Sequence, residues 1–151
     1  MIHGVVLKPL TAHADERGWL MELLRADEPV FRRFGQVYVT AVYPGVVKGW
    51  HMHHRQWDHF AVVRGTVKMV LYDRREDSPT RGEVLELFPG RQQPLLVAIP
   101  PLVVHGFKGV GTEEALVVNI PSEPYAASDP DEIRFDPHGK DVPYDWSRRD
   151  G

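Results

Sequence analysis

The sequence predicts an all-β fold, a sandwich or a closed barrel, and three observations carry that reading. Thirteen prolines and thirteen glycines interrupt the 151 residues, and both act as punctuation between short elements. The runs between them are rich in β-branched and aromatic side chains, the composition of pleated strands. Helical signals are few.

The elements follow in order. Asp27-Glu28-Pro29-Val30-Phe31-Arg32-Arg33-Phe34 predicts one or two helical turns, with proline at the first helical position. Val37–Tyr43 predicts a strand, and the stretch around His51 and His53 reads as extended. His59–Val63 and Thr66–Tyr72 flank Arg64-Gly65, which predicts a tight hairpin turn. Glu83–Phe88 alternates polar and apolar residues, Leu95–Ile99 stops at Pro100-Pro101, and Glu114–Ile120 stops at Pro121. From Ser122 onward Pro, Asp, Arg and Tyr predict a packed irregular arm (122–151), with Tyr144 and Trp146 to bury. Many short strands at this spacing fit a sandwich or barrel, and the length fits a single domain over 1–151.

Composition narrows the function. Hydrophobic residues make up 42% of the chain, enough for a real core. The formal net charge of -3 offers no basic excess for nucleic acid. With no cysteine, thiol catalysis and disulfides are excluded. Met1–Lys8 shows no basic leader followed by an apolar stretch, and no apolar run approaches the roughly 20 residues of a membrane span. A soluble cytoplasmic protein is the expectation, with no membrane partner.

Chemistry concentrates in one segment. Four of the eight histidines fall between His51 and His59, with Asp58 among them. The spacing is G-x5-H-x-H-x4-D-x6-G, from Gly45 to Gly65. Residues i and i+2 of a strand share a face, so His51 and His53 aim into one space and His54 aims away. Imidazoles with a carboxylate suit a divalent metal, or a base with its orienting partner. His54 and His59 are expected to be exposed or to support the site from behind, and His3, His13 and His138 to lie on the surface. Asp73-Arg74-Arg75-Glu76-Asp77 predicts a charged, solvated loop followed by turn chemistry at Ser78-Pro79-Thr80.

A set of ordered motifs carries a family resemblance. Asp15-Glu16-Arg17-Gly18-Trp19, Gln36-Val37, Gly45-Val46-Val47-Lys48-Gly49-Trp50-His51, Asp73-Arg74, Ser78-Pro79-Thr80-Arg81-Gly82, and Ile99-Pro100-Pro101 with His105-Gly106-Phe107 follow one another. This set resembles the dTDP-4-dehydrorhamnose 3,5-epimerase family of cupins, over about residue 12 to Trp146, and looks closest to a compact, divergent branch. The resemblance implies a double-stranded β-helix (jelly-roll cupin barrel), usually a homodimer with strand exchange near the N-terminus. It implies epimerase or isomerase action on a nucleotide-linked 4-keto-6-deoxy sugar, with no required cofactor. His51 then matches the general base and His105 a second active-site histidine. Arg17 and Lys48 match phosphate-contacting positions, Gln36 a nucleotide-contacting glutamine, and Tyr125 an aromatic residue near the base.

Two departures from the family alter the chemistry. Asp58 stands where the family has a lysine, and Asn119 where it has a general-acid tyrosine. The family's partner for the base lies in a C-terminal region this chain largely lacks. Proton abstraction beside a ketone needs a base near operating pH and positive charge at the oxygen that becomes an enolate. The histidine–aspartate spacing also resembles the metal-binding cupin pattern, with Pro100-Pro101 leading to a third histidine. His51, His53, Asp58 and His105 are therefore candidate ligands of one divalent metal, acting as a Lewis acid at a substrate oxygen. Without metal, Asp58 or another carboxylate orients His51, and His53, His105 or Tyr38 returns the proton. The alternatives are a metal-dependent cupin enzyme on another small molecule, and a non-catalytic sugar-nucleotide binding module. Against the phosphate role, Arg17 can equally be the local ion pair of a turn.

Overall fold

The structure, a computed structural model, describes residues 1–150. It has twelve strands and no helix among them. These are β1 (Val6–Pro9), β2 (Ala12–Asp15), β3 (Gly18–Met21), β4 (Tyr38–Val42), β5 (Val47–His53), β6 (Asp58–Arg64), β7 (Thr66–Asp73), β8 (Val84–Leu87), β9 (Leu95–Ile99), β10 (Val103–Val110), β11 (Ala115–Asn119) and β12 (Glu132–Arg134). One five-stranded sheet has the order β1-β9-β6-β11-β4, and the other β12-β5-β10-β7-β8. A separate β2–β3 hairpin projects from the pair. The strand pairings are antiparallel, giving the all-β fold of two sheets that the short strands predict and that the resemblance implies as a jelly roll.

The main core lies between the sheets and includes Phe60, Met69, Leu71, Val97, Ile99 and Phe107. Two further clusters explain why β6, β7, β9 and β10 are apolar on both faces rather than alternating. Ala61, Leu96 and Ala98 turn to the outer face of the first sheet, where Leu10 and Val30 cover them. Trp50, Val70 and Val104 turn to the outer face of the second, where Val142 and Trp146 of the arm cover them.

Four expectations are corrected. Residues 27–34 form no helix; a turn ends at Val30, with Phe31 N–H donating to the Glu28 carbonyl at 3.0 Å, and 31–34 continue as irregular chain. The Glu28 side chain is drawn off to Lys8 at 2.6 Å. Arg64-Gly65 is not a hairpin turn. β6 pairs with β9 and β11 while β7 pairs with β8 and β10, so the chain changes sheets there. Gly65 has φ +69, and a Cβ on it would stand 2.8 Å from the Cα of Ala115, which restricts the crossing to glycine. The arm is not wholly irregular, because β12 adds an edge strand to β5. Asp73 is not a solvated loop charge. It is fully buried and accepts hydrogen bonds from Arg75 Nε at 2.8 Å, Ser78 Oγ at 2.6 Å and Thr80 Oγ1 at 2.7 Å.

Candidate active site

The site begins with a glycine-on-glycine contact. A Cβ on Gly49 of β5 would stand 3.0 Å from the Cα of Gly106 of β10. The register shifts there, with His105 opposing His51 and Phe107 opposing Lys48. After His53 the chain turns, and Asp131 holds the turn. The backbone N–H groups of His54, Arg55 and Gln56 donate to its carboxylate at 3.2, 3.0 and 2.9 Å. The turn hands the chain to the other sheet, which starts at Asp58.

Asp58 is the hub. It is 1% exposed, and its oxygens have separate duties. Oδ1 accepts N–H from Gln56 at 2.8 Å and from Asn119 at 2.7 Å. Oδ2 lies 3.4 Å from Nε2 of His53 and 3.4 Å from Nε2 of His105. Nδ1 of His105 stands 3.1 Å from the Val103 carbonyl oxygen, so that nitrogen carries the proton and donates. Burial pushes His105 down to about 4 against the pull of Asp58. The neutral ring then turns an Nε2 lone pair toward Asp58. The Gln56 amide nitrogen, a donor only, stands 3.3 Å from Nε2 of His53, which makes that nitrogen an acceptor too. Nδ1 of His53 is buried with no hydrogen-bond partner among the described residues.

Two imidazole lone pairs and a carboxylate oxygen thus crowd one point, and a cation relieves the repulsion. His53, Asp58 and His105 offer ligand atoms all within 4.8 Å of one another. In a tetrahedral site with bonds of about 2.1 Å, neighbouring donor atoms lie about 3.4 Å apart. The donor set therefore fits a divalent metal such as zinc. His51, the fourth candidate ligand, is not in this group. Its ring centre is 6.1 Å from that of His105, and its Nε2 is 3.7 Å from Oε1 of Glu132. Glu132 sits on β12 opposite His53 and is tied to Arg134 at 2.5 Å. Burial lowers the His51 pKa, Glu132 raises it, and Arg134 lowers it again, with a net fall below the ordinary imidazole value.

A cavity of about 490 Å³ opens beside this cluster, walled by Gln36, Tyr38, His53, Tyr125, Glu132 and Arg134 among others. That volume suits a small organic ligand. Asn119 Oδ1 accepts the backbone N–H of His59 at 3.0 Å, so the amide nitrogen must face inward. It donates both to Asp58 and, at 3.0 Å, to the hydroxyl of Tyr38. Lys48 Nζ donates to Thr40 Oγ1 at 2.7 Å, from β5 to β4. Arg17 stays outside. It lies at the tip of the β2–β3 hairpin, its side chain is 85% exposed, and it pairs with Asp15. His54 is exposed, as are His3, His13 and His138. His59 is buried, its ring nitrogens 2.8 Å from the Ile120 carbonyl oxygen and 3.1 Å from that of Val30. It is structural, pinning the 27–34 segment to the end of β11.

Sequence reasoning missed Glu132 and Asp131. The one available signal was the acidic run Asp129-Pro130-Asp131-Glu132 in an otherwise irregular tail. No spacing rule ties it to the histidines some 75 residues earlier.

Comparisons with known proteins agree with this architecture. A family model described as the polysaccharide biosynthesis C-terminal domain matches residues 13–133. The chain is 39% identical over 148 residues to the probable low-salt glycan biosynthesis epimerase Agl13 of Haloferax volcanii, covering 97% of this chain and 95% of that one. The crystal structure of a dTDP sugar isomerase from Desulfovibrio desulfuricans G20 is similar with a TM-score of 0.93 at 35% identity, covering 99% and 94% of the two chains. NovW, a 4-keto-6-deoxy sugar epimerase from the novobiocin biosynthetic gene cluster of Streptomyces spheroides, is similar with a TM-score of 0.83 at 25% identity, covering 97% and 76%.

Proposed function

We propose, from the premise that this chain belongs to the family of polysaccharide biosynthesis C-terminal domains, that it is a sugar-nucleotide epimerase or isomerase. It acts on a 4-keto-6-deoxy sugar by removing a proton beside the carbonyl. The observation that carries this reading is His51. Its imidazole is shifted toward the neutral form and has the Glu132 carboxylate near one nitrogen, and Glu132 itself lines a cavity of ligand size. Glu132 favours the proton on Nε2 and stabilises the imidazolium as it forms, the part a second carboxylate plays beside a histidine base. Gln36, Tyr125 and Lys48 bind substrate, Asn119 contributes through its amide, and Asp58 and His105 complete the catalytic floor. The test is solvent deuterium uptake into dTDP-4-keto-6-deoxyglucose, followed by NMR. Wild type exchanges the proton beside the carbonyl, and His51→Ala loses exchange by at least about 10²-fold. Exchange by the alanine variant at the wild-type rate removes His51 as base.

His53, Asp58 and His105 would hold a divalent metal. When bound, it supplies positive charge for the developing enolate oxygen, the service a lysine would otherwise give. Elemental analysis of protein purified without nickel resin or chelator is expected to show about one metal per chain. Removing it is expected to lower the melting temperature, since a ligand that binds only the folded state stabilises it. Metal-dependent chemistry on another small molecule is the second reading, favoured by the same crowded lone pairs. It predicts metal-dependent turnover with no exchange into the keto sugar.

The chain pairs with a second copy. Val39 on the edge strand β4 and Val37 and Tyr43 flanking it are 61%, 56% and 66% exposed, and Trp19 and Leu20 are 61% and 62% exposed on the hairpin. Such an apolar edge is unusual for a strand left without a neighbour. Light scattering is expected to report a dimer, and Val39→Lys to shift it toward monomer.

A further inference from the structure

Inverting a carbon centre needs two groups, one to take a proton from one face and one to give a proton to the other. His51 stands on β5 of one sheet. The group approaching from the other sheet is Tyr38 on β4, directly opposite Asn119 of β11 in the register. Its hydroxyl accepts a hydrogen from Asn119 Nδ2. The orientation of that amide is fixed because its oxygen is taken by the backbone N–H of His59. The amide has two hydrogens, one on Asp58 and one on Tyr38. Tyr38 Oη is therefore an acceptor toward Asn119, and its own O–H hydrogen has no acceptor among the described side chains. The residue is 43% exposed and lines the cavity. A phenol held by its lone pair, with its proton unspent, at the wall of a ligand-sized space, is placed as a donor.

Resting on the epimerase reading above, we propose that Tyr38 is the catalytic acid that delivers the second proton, on the face opposite His51, and that Asn119 is the residue that positions it. His51 takes the proton from the carbon beside the carbonyl, and the C–H electron pair moves through the carbon framework onto the carbonyl oxygen. Tyr38 Oη then protonates the same carbon from the other side, and the carbonyl re-forms. The imidazolium and the phenolate left behind return to their starting forms by proton exchange with water at the open mouth. No electrons are gained or lost overall, and no co-reactant is consumed.

The test uses full-length Tyr38→Phe in deuterated water with dTDP-4-keto-6-deoxyglucose. The reading is deuterium uptake beside the carbonyl, scored separately from inversion of configuration. The ring is retained and the lost hydroxyl lies at a solvent-facing wall, so the variant is expected to fold, with a melting temperature within a few degrees of wild type. The expected result is uptake within about threefold of wild type, because His51 still removes and returns a proton on its own face, with inversion reduced at least about 10²-fold. Inversion at the wild-type rate overturns the assignment, and so does equal loss of uptake and inversion, which would make Tyr38 a binding residue. Absence of uptake by the wild-type protein overturns the epimerase reading itself, and this inference with it.

Discussion

Asn119 shows how much one side chain can carry. Its oxygen closes a backbone donor, and its two hydrogens divide between the buried Asp58 carboxylate and Tyr38. Asn119→Ala strands a buried N–H and removes one of the two donors on Oδ1 of Asp58. Unsatisfied buried polar groups cost about 1–3 kcal/mol each, so urea unfolding is expected to show a loss of about 2–4 kcal/mol. His51 makes a prediction about pH. Its pKa lies below the ordinary 6.5 because burial outweighs the pull of Glu132. A base works only when unprotonated, so deuterium exchange is expected to hold as pH falls past that value and to fail only below it. Glu132→Gln removes the group that raises the pKa and is expected to move the acid limb lower still, measured as the pH–rate profile of exchange. An acid limb left in place by Glu132→Gln would mean that Glu132 does not act on the base.

At the scale of elements, β7 and the turn after it are held together by a buried charge. Burial pushes the Asp73 carboxyl up, but hydrogen bonds from Arg75, Ser78 and Thr80 outweigh that and hold it well below its ordinary 3.8. A carboxyl with a lower pKa folded than unfolded adds stability that is complete above the unfolded value and is lost as pH falls below it. Stability measured by denaturant is therefore expected to decline below about pH 4 in wild type, with a shallower decline in Asp73→Asn. Asp73→Ala leaves Arg75, itself only 18% exposed, without its partner, and is expected to cost about 3–5 kcal/mol at neutral pH. The β6–β7 junction illustrates a limit of local reading. Arg64-Gly65 between two apolar runs has the sequence of a hairpin, and the same positive-φ glycine serves equally well to carry a chain from one sheet to the other.

For the whole molecule, the arm links stability to the site. Trp146 is 2% exposed and packs at a tilt against Trp50, ring centres 4.6 Å apart. Tyr144 meets Trp50 edge-on and hydrogen-bonds Glu86. The same arm supplies β12, and with it Glu132 beside His51 and Asp131 under the turn before Asp58. Trp146→Ala is expected to cost about 3–5 kcal/mol and to slow exchange as well, read from calorimetry and deuterium uptake on one preparation. By itself the sequence determined the all-β class and the strands β4, β6, β7, β8, β9 and β11, because alternation and β-branched runs are local, but not β1, β2, β3, β10 or β12. It also singled out His51, His53, Asp58 and His105 as candidates, the first three by their spacing in one short segment and His105 by its place in the motif set. Tertiary structure alone decided the rest. It set His51 apart from the other three, handed it Glu132 from the far end of the chain, left Arg17 at a hairpin tip, and buried Asp73 and His59. Those outcomes depend on which strands become neighbours across two sheets, a matter of long-range packing that no short window of residues encodes.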